Sequence, residues 1–165
     1  MVCVLANHVG AYGALEVVGG TYANPEVVDG RLGIDAVFLR NDGQHVTIME
    51  AAGFSGDELV LEYTRKSSPG RLLVSAADLV AYAQINQDRL VLAVTLALQN
   101  FVDKWVAKGN RRLLGPDGAA YVSIPTEVLL REPMPIAILP VVGLSDHVKQ
   151  ALRSQPGDLG QRLRR

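Results

Sequence analysis

Three histidines, His8, His45 and His147, and one cysteine, Cys3, are the side chains whose protonation or nucleophilicity near neutral pH could support an activity. His8 stands in "ANHVGAYG", a loop-like stretch where a general base could work beside Glu16 or Asp35, with Arg40 to hold an anion. His45 alternates with Val46 and Ile48, which assigns it to the outer face of a strand together with Thr47 and Met49. His147 falls near the start of an exposed helix. No His-x-x-x-His spacing makes a metal site, and the lone cysteine excludes an internal disulfide or a multi-cysteine zinc site. Neither a metal nor another cofactor is expected.

Cys3 sits in the short apolar segment "MVCVLA", where a thiol behaves as a small hydrophobe. A Cys3–His8 pair would need the chain to bend back at Ala6-Asn7. Ser67, Ser68 and Ser75 have turn and cap explanations, and no Gly-x-Ser-x-Gly elbow occurs. The glycines of "VVGGTYANPE" and "VVGLSD" lack both the dinucleotide and the P-loop spacing. Ser145 in "GLSDHVKQ" offers a capped helix start to an anion, as every capped helix does.

Charge is unevenly spread. Residues 1–60 carry eight acids against Arg31 and Arg40, a balance of −6, while the remainder carries 14 bases against nine acids, +5. Such a split suits head-to-tail contact between copies unless folding interleaves the halves. The basic clusters are Arg111-Arg112 and the C-terminal Lys149, Arg153, Arg162, Arg164 and Arg165. The tail at 156–165 could neutralise phosphates, so nucleic acid is a partner only through it. It lacks interleaved aromatics to stack bases.

These groups must be held by elements that hydropathy patterning places in order. The 165 residues suit one domain over 1–155 followed by the basic tail, with a core of Val, Leu, Ile and Ala because aromatics make up only 5%. "LGIDAVFLRNDGQHVTIME" reads as two strands joined at Asn41-Asp42-Gly43. "DELVLEYTR" alternates as a half-buried strand, and "KSSPG" turns it into "RLLVS" as a hairpin partner. "GALEVVGGTYA" reads as a bent strand and "NRRLLGPDGAAYVSI" as another hairpin.

At Ser75 the period changes to a helical one. "SAAD" has helix-start spacing, and residues 76–108 read as one long bent helix or two in succession, ending at Gly109. Its apolar stripe runs through Leu90, Val94, Ala97, Phe101 and Trp105, widened by Val91, Leu98 and Val102. Four prolines, at 125, 133, 135 and 140, then forbid a continuous helix or central strand and predict an edge strand carrying Ile136 and Ile138. "SDHVKQALR" predicts a short C-terminal helix. Residues 89–109 are too polar in their second half to span a bilayer, and the start lacks the basic region of a secretory signal.

The expected fold is α+β: an antiparallel β-rich sheet or partly closed barrel packed on one long hydrophobic helix, with a short C-terminal helix. Two function classes follow. One is a non-enzymatic, self-associating structural subunit, of a virion, phage tail or secretion tube, located in the cytoplasm or in the particle. Its contacts would be Leu98, Val102, Trp105, Ile136, Ile138, Arg162, Arg164 and Arg165. The other is a small enzyme or binding domain with a pocket between sheet and helix, using a histidine and a carboxylate.

Overall fold

The computed structural model describes residues 11–16, 32–40, 43–53, 56–66, 68–110, 112–115, 118–141 and 146. Two sheets carry the fold. The larger contains β1 (Ala11–Glu16), β2 (Ala36–Arg40), β3 (His45–Gly53), β6 (Leu79–Gln84), β7 (Arg89–Val94) and β10 (Ile136–Pro140), in that spatial order. The smaller has the order β5 (Ser68–Pro69), β4 (Glu58–Arg65), β9 (Ala119–Pro125), β8 (Arg112–Leu114). Neighbours are antiparallel except β3 and β6, which run parallel because the chain visits the smaller sheet between them.

Three short helices complete the described chain: α1 (Arg71–Val74), α2 (Thr95–Ala107) and α3 (Thr126–Arg131). The architecture is therefore α+β with two mainly antiparallel sheets, and neither a closed barrel nor a single long helix is present among the described residues.

The largest departure from expectation lies at 76–108. In place of one long helix, the chain forms the β6–β7 hairpin and then α2. The hairpin turns through a 3-10 turn at Ile85–Gln87 and Asp88, whose φ of +46° closes the loop. Aspartate tolerates this left-handed backbone. The physical reason is burial on both faces. Val80, Tyr82, Val91 and Ala93 enter the main core, while Ala81, Ala83, Leu90 and Leu92 enter a second cluster on the other face. A strand enclosed on both sides reads as an unbroken apolar run, which periodicity alone cannot separate from a helix.

Ser75 is no helix cap. Its hydroxyl donates to Gly33 O at 3.0 Å and accepts from Ala77 N at 3.2 Å, a local turn that leads into β6. "RLLV" is likewise one turn of helix, not a hairpin strand; only Ser68–Pro69 pairs back onto β4. Gly70 joins the two where backbones touch. A Cβ there would stand 2.4 Å from Glu62 O, so no side chain fits without moving β4.

Other elements follow the pattern read from the residues. The β2–β3 and β8–β9 hairpins form, β4 spans the alternating segment, and Gly109 ends α2 with a φ of +78°. "MVCVLA", the segment from Val17 to Arg31, and the basic tail lie outside the described residues. Of the predicted C-terminal helix only Asp146 is described; it is helical and exposed.

The main core lies between the two sheets and beneath α2. Leu59 and Leu61 of β4, and Val122 and Ile124 of β9, meet Met49, Val80, Tyr82 and Val91 of the larger sheet. Leu98, Val102 and Val106 of α2 enter the same cluster, spaced four residues apart along one helix face. Tyr82 ties the sheets directly: its buried hydroxyl accepts from Val60 N at 3.0 Å.

Candidate functional site

Among the residues singled out for chemistry, His8, His147, Cys3 and Ser145 lie outside the described residues. His45 is exposed at the start of β3, opposite Leu39, whereas Asp35 precedes β2 beside the Ile48 end of the same ladder. Four residues of strand, about 13 Å, separate those positions, so the fold does not bring this histidine and this carboxylate together. Glu16 and Arg40 lie on paired strands, β1 and β2.

Asp35 is occupied structurally: it pairs with Arg71 and accepts from Glu50 N at 2.6 Å. Thr47 and Asp78 form a second knot across β3 and the entry to β6. Asp78 Oδ2 accepts from the Thr47 amide at 2.7 Å and hydroxyl at 2.8 Å, and Asp78 N donates to Thr47 Oγ1 at 2.9 Å.

The most enclosed polar cluster joins the end of the β6–β7 hairpin to the smaller sheet. Gln84, 1% exposed, donates through Nε2 to Thr126 Oγ1 at 2.7 Å and accepts from Arg89 Nε at 2.5 Å. Arg89 also pairs with Asp57, whose carbonyl accepts both from Thr126 N at 2.9 Å and from Thr126 Oγ1 at 3.0 Å. Each partner of this chain answers another, as burial of polar groups requires. It pins a loop and a helix start to a hairpin, and contains no nucleophile beside a base.

The ion pairs Asp35–Arg71 and Asp57–Arg89 each join the acidic first part of the sequence to the basic remainder within one molecule. Folding thus interleaves part of the charge split. Among the described residues no three or more His, Cys, Asp or Glu side chains converge as a metal site would need, and no helix is long and apolar enough to cross a membrane. Among the described residues, the buried Thr95 Oγ1 and Trp105 Nε1 lack a hydrogen-bond partner.

The expected contact residues divide sharply. Leu98 and Val102 are both 0% exposed in the single chain. They are core, and no partner can reach them. The structure corrects the expectation here: β6, β7 and α2 share the burial assigned to one over-long helix, and the surplus apolar surface it implied is absent. Trp105 stacks on Phe101 with ring centroids 5.6 Å apart and is half-buried at the margin of the main core. Ile136 and Ile138 are half-buried on β10, the last described strand of the larger sheet. Arg162, Arg164 and Arg165 lie outside the described residues.

From Pro133 to Pro140 no side chain is charged, and Pro133, Pro135 and Ala137 are exposed; the exposed Arg131 and Glu132 immediately before them bound this apolar run. The backbone of β10 alternates in a way that can be read from its flanks. Val94 N donates to Pro135 O at 3.4 Å and Val141 N to Asp88 O at 2.7 Å, and both pairs continue the register Ile136↔Ala93 to Pro140↔Arg89. Residues 135, 137, 139 and 141 therefore turn their backbone groups toward β7, and residues 136, 138 and 140 turn theirs away. Proline at 140 occupies an outward slot, where its missing N–H costs the ladder nothing. The outward donors of this strand are Ile136 N–H and Ile138 N–H.

The proline spacing was the signal for this edge; the orientation of its free amides was not, since it depends on the pairing with β7. The chain matches no protein-family model, no curated protein and no solved structure.

Proposed function

We propose that this chain is a non-enzymatic structural subunit that acts by associating with copies of itself, as components of a particle or tube do. The observation that carries the reading is the β10 edge: among the described residues it is the last strand of the larger sheet, with outward backbone donors and with Pro133, Pro135 and Ala137 exposed along it. Natural sheets cover or charge such edges because an open ladder recruits another strand. This one carries no charged side chain between Pro133 and Pro140. The polar clusters support the same reading from the other side, since their side chains bond to each other and brace loops. The terminal Arg162, Arg164 and Arg165 would add contacts to an acidic surface of the neighbouring copy.

Size-exclusion chromatography with light scattering tests the proposal at high micromolar concentration. A mass that is a multiple of 17.7 kDa is expected; a clean monomer overturns it.

A further inference from the structure

We infer that two copies join β10 to β10 antiparallel about a two-fold axis at Ala137, continuing the larger sheet from one molecule into the next. The inference rests on the self-association reading above and names the contact.

The outward groups decide the register. Reciprocal hydrogen-bonded pairs can form only between residues that face outward on both strands. Placing Ile136 opposite Ile138 of the second copy uses both outward donors of each strand, and each pair exchanges two bonds. Four hydrogen bonds result, with no gap between them. Shifting the register so that Ile138 faces its own copy would set Pro140 against Ile136. The proline ring would then occupy the place of the missing hydrogen, against the Ile136 carbonyl. Shifting the other way, with Ile136 facing its own copy, leaves one reciprocal pair and sets Ile138 beyond the start of the partner's strand.

Side chains agree with the same axis. Ile136 and Ile138 point to the face that carries the main core, so the seam on that face is two isoleucine pairs, the β-branched contact that stabilises cross-strand neighbours. Ala137 meets its own copy at the centre, in a pair without hydrogen bonds, where strands come closest and side chains have least room. It is the smallest side chain of the strand and it is exposed. The two-fold pairing uses the same edge of both copies, so the contact closes as a pair, and Pro140 ends the ladder at each side.

A cysteine at the axis tests this. With Cys3 replaced by serine, Ala137→Cys places one thiol opposite itself, within the span a disulfide bridges. Under mild oxidation the chain is expected to run chiefly as a covalent dimer on a non-reducing gel. Ile138→Cys in the same background is expected to stay chiefly uncross-linked, because it meets its own copy only in the shifted register. Light scattering on the reduced proteins separates the levels. A dimer that Ala137→Cys fails to cross-link overturns the β10 seam and leaves self-association standing; a monomer overturns both. Efficient cross-linking at Ile138→Cys instead of Ala137→Cys overturns the register. Ile138→Pro supplies a second measurement: it removes one outward donor per copy without touching the β7 ladder, so two of four bonds vanish and the dimer Kd is expected to rise about thirtyfold or more. An unchanged Kd in a protein of unaltered circular dichroism overturns the seam.

Discussion

Two apolar stretches, Leu90–Leu98 and Ile136–Pro140, touch each other through the β7–β10 ladder and yet end in opposite surroundings. In the first, both faces of β7 are covered, and α2 continues inward with Thr95 and Leu98 at 2% and 0% exposure. In the second, no residue of the strand is fully buried. What separates them is the count of neighbours. β7 lies between β6 and β10, so its backbone is satisfied on both sides; β10 has β7 alone among the described strands. An unbroken apolar run thus marks enclosure, and prolines placed at alternate backbone directions mark where the sheet stops.

Cutting into the enclosed side has the largest expected effect. Leu98→Ala leaves a cavity beneath α2 and is expected to cost about 2–5 kcal/mol in urea unfolding, with the oligomeric mass of the folded variant unchanged. A loss within about 0.5 kcal/mol, the range of ordinary surface substitutions, together with a change in mass would return Leu98 to the surface and erase the contrast. Next comes the polar brace at the other end of the hairpin. Arg89→Ala leaves the buried Gln84 Oε1 without its donor and is expected to cost about 1–3 kcal/mol, read from the same unfolding transition. Stability equal to the parent chain would mean that water replaces the guanidinium.

Much of the fold could be read from the residues because local chemistry decides it. Alternation defined β4, the Asp-Gly and Pro-Asp-Gly turns defined two hairpins, and the proline spacing defined the edge at β10. The stretch from Leu79 to Val94 could not be read that way. With both strand faces apolar, hydropathy carries no period of two, and Ser75 and Asp88 resemble helix caps until the backbone around them is known. Ser75 instead bridges Gly33, 42 positions away, and nothing local signals that partner. Leu98 and Val102 lie in the core and not on an exposed seam for the same cause: a helix spanning all of 76–108 would exceed what one sheet covers, whereas a helix of 13 residues does not. At the candidate site, the side chains Ile136 and Ile138 were legible, and their free amides were not.

On the open side, Ile138→Lys puts a charge in the middle of the proposed seam. Its half-buried position limits the cost to the fold to about 1 kcal/mol, while light scattering is expected to show a monomer of 17.7 kDa. An oligomer that persists with this lysine in place would move the contact elsewhere on the molecule and leave β10 as a capped, passive edge.

The smallest effect is expected at the opposite boundary, and it separates exposure from edge geometry. Leu114 on β8 is 86% exposed, more than any other large hydrophobic side chain described. If apolar exposure alone drew copies together, Leu114 would be the stronger contact. Its backbone argues otherwise. β8 is three residues long, and immediately after it Gly115 N donates to Ala119 O at 2.8 Å, so the chain has already turned back into β9. An edge this short presents too few outward groups for a reciprocal ladder. Leu114→Ser is therefore expected to change stability by no more than about 0.5 kcal/mol and to leave the oligomeric mass as it was, whereas Ile138→Lys changes it. Dissociation caused by Leu114→Ser would show that the smaller sheet, and not the larger one, carries the contact.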